Sequence, residues 1–268
     1  MAETHADGLR INYDGSGQGE PALLFMPGWW CSREMFARLL PLCASRRRAL
    51  ALDWRSHGQS ESPEEGDFGI KDMVGDALAV IEASGAQRVV PVAQAHANWM
   101  ALELRRRLAE RIPGVVSLSW LVLDPPPAFL GALEAAQDPK RWEQAREGLF
   151  STWLKGVDDA EVIRFVRQDM GSYGFEMVSR AGREVSAAYA REGNPLRALA
   201  SLDPPVPWMH LYAQPPDPGY LAAQEAFAEE HPWFSVRKVE AHSHFPSIEV
   251  PDKVAAAIES FVTQEVTK

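Results

Sequence analysis

Cysteine is nearly missing from this chain of 268 residues: there are only two, Cys31 and Cys43. That is too few for a disulfide framework or a cysteine-rich zinc site. No uninterrupted apolar run approaches the roughly 18 residues of a membrane span. A basic excess is also lacking, since 27 Lys and Arg stand against 37 Asp and Glu, a formal charge of −10. A nucleic-acid partner calls for a clustered basic surface instead. The arginine runs at 46–48 and 105–107 are short and read as solvated helix faces or ends. The first residues carry neither the basic region nor the apolar stretch of a signal peptide. The expectation is a cytoplasmic protein with no nucleic-acid or membrane partner. Internal repeats and low-complexity tracts are lacking too. What is present is a globular composition, 46% hydrophobic and 24% charged, with nine tryptophans as its unusual feature.

Apolar patterning predicts strands at 9–13, 22–26, 48–53, 88–93, 121–123, 208–212 and 234–239. Helices are expected at 35–40, 73–83, 96–108, 219–230 and 253–262. Strands and helices alternating at this rhythm imply a mostly parallel sheet flanked by helices. The rhythm changes between about 127 and 199, where the chain reads as helices. The expected organisation is an α/β core, 1–126 and 200–268, interrupted by a helical cap, 127–199, with the site beneath the cap.

Ligands of open α/β sheets bind outside the carboxyl ends of strands. Those ends carry Gly28-Trp29-Trp30, Gln94-Ala95-His96, Asp124 and His244. The run Val89-Val-Pro-Val-Ala93 leading through Gln94-Ala95-His96-Ala97 into a helix has the strand–turn–helix context of the α/β-hydrolase fold, whose order is nucleophile, acid, histidine. The nucleophile position is Ala95, which cannot attack a carbonyl. His244, after the last strand, is the preferred histidine over His242, while His57 reads as a loop organiser and His210 as core. Two acids compete, Asp217 after the 208–212 strand and Asp124 after the 121–123 strand. Asp217 sits in Pro215-Pro-Asp-Pro218, where a turn role is natural, so Asp124 is favoured.

Beyond the fold, the chain resembles the cofactor-independent 2,4-dioxygenases that cleave 3-hydroxy-4-oxoquinolines. The matching stretches are Pro27-Gly-Trp29, Ala95-His96 with Trp99, Asp124, Gly148-Leu-Phe-Ser-Thr-Trp-Leu154 and Asp169-Met-Gly-Ser-Tyr-Gly174. Tyr212-Ala-Gln-Pro-Pro216, His231-Pro-Trp-Phe234 and Ser243-His-Phe-Pro246 complete them. The resemblance implies a His–Asp dyad at His244 and Asp124, oxyanion-hole N–H groups at Trp29 and His96, and a pocket wall at Trp153. It implies further that Ala95 stands where the family has a substrate-binding serine. Val178 would replace a larger cap aromatic and leave space for a C2 alkyl group. The implied substrates are a 3-hydroxy-4(1H)-quinolone, such as the 2-heptyl quinolone signal, and O₂, with no cofactor and no metal. The implied products are carbon monoxide and an N-acylanthranilate. Two other readings stand beside this one: a hydrolase using a His-activated water, and a non-catalytic small-molecule-binding protein.

Overall fold

The computed structural model describes residues 1–64 and 66–267. Eight strands form one sheet: β1 (Ala2–Ala6), β2 (Leu9–Ser16), β3 (Ala22–Met26), β4 (Ala49–Leu52), β5 (Val89–Gln94), β6 (Val115–Leu118), β7 (Trp208–Tyr212) and β8 (Phe234–Lys238). Their order is β1-β2-β4-β3-β5-β6-β7-β8. The β1–β2 and β2–β4 pairs are antiparallel, and the remaining pairs run parallel. β3, β4, β5, β6 and β7 are buried along their whole length, as continuous apolar runs demand when helices cover both faces. The mostly parallel α/β class expected from the alternation is what the chain adopts.

The helices of the first half are α1 (Leu39–Ala44), α2 (Ile70–Ser84) and α3 (Asn98–Leu108). Between β6 and β7 come α4 (Pro127–Ala136), α5 (Trp142–Trp153), α6 (Ala160–Arg164), α7 (Phe175–Glu192) and α8 (Pro195–Ala200). α9 (Pro218–Glu230), α10 (Pro246–Glu249) and α11 (Pro251–Phe261) follow. α4 packs on α5 and α7, so the inserted helices form a unit of their own. That unit is tied back to the core at the start of α2. Glu184 of α7 accepts from the Ile70 N–H at 3.0 Å, satisfying one of the donors that a helix N-terminus leaves open. A Cβ on Gly69 would meet the Glu184 carboxylate at 2.2 Å, so a larger residue there would require the Glu184 side chain to move.

One expected strand is displaced. The apolar run at 121–123 lies beyond β6 in irregular chain, and β6 itself is Val115–Leu118. The later run is the more apolar, since the earlier contains Ser117; pairing of Val116 with Val92 and Met209 selects the earlier one.

Candidate active site

Strand order reverses direction between β3 and β5, with β4 on one side and β5 on the other. A crevice opens outside the carboxyl ends of strands at such a switch point. There the chain leaves β3 through Gly28-Trp29-Trp30 and β5 through Ala95-His96, and all five residues line one cavity of about 680 Å³. That volume lies within the usual range for small-molecule sites.

Ala95 has φ +47°, the left-handed conformation that L-residues other than glycine avoid at a cost of roughly 1–2 kcal/mol. The strained elbow is therefore kept although it presents only a methyl group. A buried chain of hydrogen bonds holds it. The Trp208 indole donates to Ser117 Oγ (2.7 Å), and Ser117 donates to Asn98 Oδ1 (2.6 Å). Asn98 Nδ2 donates to the carbonyls of Ala93 and Ala95, each at 2.8 Å. Opposite, Trp30 has φ +63°, and its N–H donates to His57 Nε2 at 3.3 Å. The other His57 nitrogen lies 2.9 Å from the Arg55 carbonyl, which identifies it as the protonated one. His57 thus braces the Trp29–Trp30 turn from behind.

His244 lies in the loop between β8 and α10 and lines the cavity. Its ring stacks on Trp153 of α5, centroids 5.2 Å apart and planes 11° from parallel. Backbone contacts place the loop: Gln94 Nε2 donates to the His244 carbonyl (3.0 Å), and Glu249 accepts from the N–H groups of His242 and Ser243 (2.9 and 2.7 Å). Desolvation by its apolar surroundings lowers the His244 pKa to about 4, and that of His96 to about 3 with a further push from His244. Both rings are therefore neutral at pH 7. His242 is mostly exposed and sits 3.4 Å from Glu249.

Neither expected acid reaches His244. Asp124 is exposed, lies outside the cavity wall and accepts from Asn194 Nδ2 at 3.0 Å. Because β6 ends at Leu118, the chain has already turned away from the sheet rim by position 124. The residue at the strand end is Ser119. Asp217 caps α9, accepting from the Gly219 N–H at 3.0 Å, as its turn context implied. Among the described residues no aspartate or glutamate lines the cavity, and Lys155 is its one lysine or arginine. The His244–Asp124 dyad is thus corrected to a histidine without a carboxylate. Val178 is corrected as well. It is fully buried and absent from the cavity wall, which begins one turn later along α7 at Ala181 and Gly182. Trp29, Ala95, His96, Trp153 and His244 all face the same space.

Gln94, Asn98, Ser119, His210 and Glu249 escaped the sequence reading as contributors to the site. Gln94 and Asn98, beside the elbow, carried a usable signal, being polar residues in an otherwise apolar strand and helix start. Among the described residues no group of three or more His, Cys, Asp or Glu side chains is arranged to hold a metal ion. None of the described helices is long and apolar enough to cross a membrane.

A sheet of this order with an elbow after β5 and a histidine after β8 defines the alpha/beta hydrolase class, and the model of the Alpha/beta hydrolase family matches residues 23–257. The 2-heptyl-3-hydroxy-4(1H)-quinolone dioxygenase of Mycobacteroides abscessus is 37% identical over 252 residues, 93% of each chain. The 1H-3-hydroxy-4-oxoquinoline 2,4-dioxygenase of Pseudomonas putida is 33% identical, covering 98% of this chain and 99% of its own. A solved structure of AqdC, described as recognising and cleaving the ring of the Pseudomonas quinolone signal and bound to its product, superposes with a TM-score of 0.93. It shares 35% identity, over 98% of this chain and 100% of that one. The chain belongs to the alpha/beta hydrolase family and, within it, to the group of these quinolone dioxygenases. The resemblance read from the sequence is borne out at that level.

Proposed function

We propose that this protein is a cofactor-free dioxygenase that opens the heterocyclic ring of a 2-alkyl-3-hydroxy-4(1H)-quinolone. The observation that carries the reading is a neutral histidine, His244, stacked on Trp153 in an apolar cavity and facing an elbow that holds Ala95 in place of a nucleophile. Such a site offers a base and a flat aromatic wall, and it lacks the group that acyl transfer requires at the elbow.

In this reading His244 takes the proton of the 3-hydroxyl. The backbone N–H groups of Trp29 and His96 hold the oxygen edge of the anion, and Trp29 and Trp153 wall its ring system. The anion is electron-rich enough to react with O₂ directly. Oxygen adds at C2 and closes onto C4, and collapse breaks C2–C3 and C3–C4. C3 leaves as carbon monoxide, both atoms of O₂ enter the acid product, and the proton returns from the imidazolium. A 2-heptyl substrate gives N-octanoylanthranilate. Because no carboxylate of the described residues lines the cavity with His244, the imidazolium has the substrate anion itself as counter-ion. The names of the relatives support the substrate class, and the cavity volume leaves room for an alkyl chain. A cytoplasmic location accords with two free, buried cysteines.

The test is to incubate metal-depleted protein with 2-heptyl-3-hydroxy-4(1H)-quinolone under air. Oxygen uptake matched by equal amounts of carbon monoxide and N-octanoylanthranilate is expected. No carbon monoxide across a series of C2 substituents sinks the proposal.

A further inference from the structure

We propose that the hydroxyl of Ser119 is a substrate contact, supplying from the end of β6 the hydrogen bond that Ala95 cannot supply from the end of β5. The inference rests on the ring-cleaving function proposed above and assigns it a further residue. The paired register Ala93–Ser117 and Gln94–Leu118 makes Ala95 and Ser119 the next residues on neighbouring parallel strands. Both leave their strands in the left-handed conformation, φ +47° and +49°, and both line the cavity.

The turn that carries Ser119 is closely bonded elsewhere. The Ser119 N–H donates to the Leu211 carbonyl (2.9 Å), and the Trp120 N–H donates to His210 Nε2 (3.2 Å). The Tyr220 hydroxyl donates to the Trp120 carbonyl (2.9 Å) and lies 3.1 Å from the Val122 N–H. The Leu121 carbonyl accepts from the Tyr189 hydroxyl (3.0 Å). Ser119 Oγ is left out of this bonding, as are Trp120 Nε1 in the same turn and Gln94 Oε1, His96 Nδ1 and Trp29 Nε1 elsewhere in the cavity lining. Among these Ser119 alone offers a hydroxyl, placed beside the elbow. The residue is only 3% exposed, and its hydroxyl has no hydrogen-bond partner among the described residues. A buried hydroxyl without a partner is costly, and a ligand oxygen is the natural acceptor where the residue borders a cavity. In a cavity to which the described residues bring no carboxylate, a hydroxyl beside the elbow donates to the oxygen edge of the bound quinolone and holds the 3-oxyanion that His244 creates.

The experiment compares wild type with Ser119→Ala, Ser119→Gly and the double variant Ala95→Ser/Ser119→Ala. Two quantities are read: Kd for 2-heptyl-3-hydroxy-4(1H)-quinolone without oxygen, from the absorbance change on its ionisation, and the pH profile of kcat/KM under air. Both single variants are expected to bind the quinolone about tenfold more weakly, the size of a lost hydrogen bond to a charged group. The double variant, which moves the hydroxyl one strand across, is expected to recover part of that loss. Glycine suits the left-handed backbone, so a deficit in Ser119→Ala alone would be conformational and would overturn the inference. Unchanged binding and kcat/KM in both single variants would overturn it too. An unchanged Kd with a shifted pH profile would place the hydroxyl on His244 instead of substrate. Wild-type protein that neither binds nor cleaves the quinolone overturns the parent function along with this assignment.

Discussion

In the proposed mechanism His244 accepts a proton with no carboxylate of the described residues in the cavity wall beside it. An Asp partner would fix the tautomer and stabilise the imidazolium; here Trp153 stacking and the backbone bonds of Gln94 and Glu249 orient the residue instead. Asp124 is bonded to Asn194 at the surface. Asp124→Asn is therefore expected to leave kcat/KM within about twofold, whereas His244→Ala lowers it by roughly 10²–10⁴, the usual span for a general base. Steady-state oxygen uptake checks both, and a large loss in Asp124→Asn would restore the dyad. His244 was legible because a histidine between the last strand and the last helix has few structural reasons to be there. Ser119 was not, since a serine in an apolar run signals nothing until its neighbours are known.

The elbow is an element whose shape outlasts its usual chemical group. Asn98 bonds both Ala93 and Ala95 and closes a buried chain through Ser117 to Trp208. Asn98→Ala would leave the Ser117 hydroxyl and two carbonyls without these partners and is expected to cost about 1–3 kcal/mol of stability. Urea unfolding measures this; a change below about 0.5 kcal/mol would mean that the elbow is held by packing alone. The strands around the elbow were read closely from sequence, as with 22–26 against β3 and 208–212 against β7. The exception is β6. Residues 115–118 and 121–123 are two apolar runs with a two-residue gap, and hydrophobicity does not pick out the earlier. Cross-strand pairing with β5 and β7 does, and that displacement is what carried Asp124 away from the site.

Across the whole molecule, four histidines are held neutral by burial: His57, His210 and His244 with pKa lowered to about 4, and His96 to about 3. Between pH 6.5 and 4 the unfolded chain binds protons at these positions and the folded chain does not. Stability is therefore fully present above pH 6.5 and declines as the pH falls, by on the order of a few kcal/mol by pH 5. Denaturant midpoints at pH 7, 6 and 5 test this, and a flat series would contradict it. His57 and His210 each accept a backbone N–H at a cavity turn, so their protonation removes supports of the site itself.

The sequence alone determined the α/β class, most of the order of its strands and helices (β1 was not expected and β6 was expected a few residues late), the empty elbow and the histidine after the last strand. These are carried by local periodicity and chain order, which survive without knowledge of distant contacts. Tertiary structure decided which residues share the cavity: Ser119 in place of Asp124, Ala181 and Gly182 in place of Val178. The site is assembled from the ends of β3, β5, β6, β7 and β8 and from the inserted helices α4, α5 and α7, and a shift of a few residues in one strand exchanges the side chains that meet there.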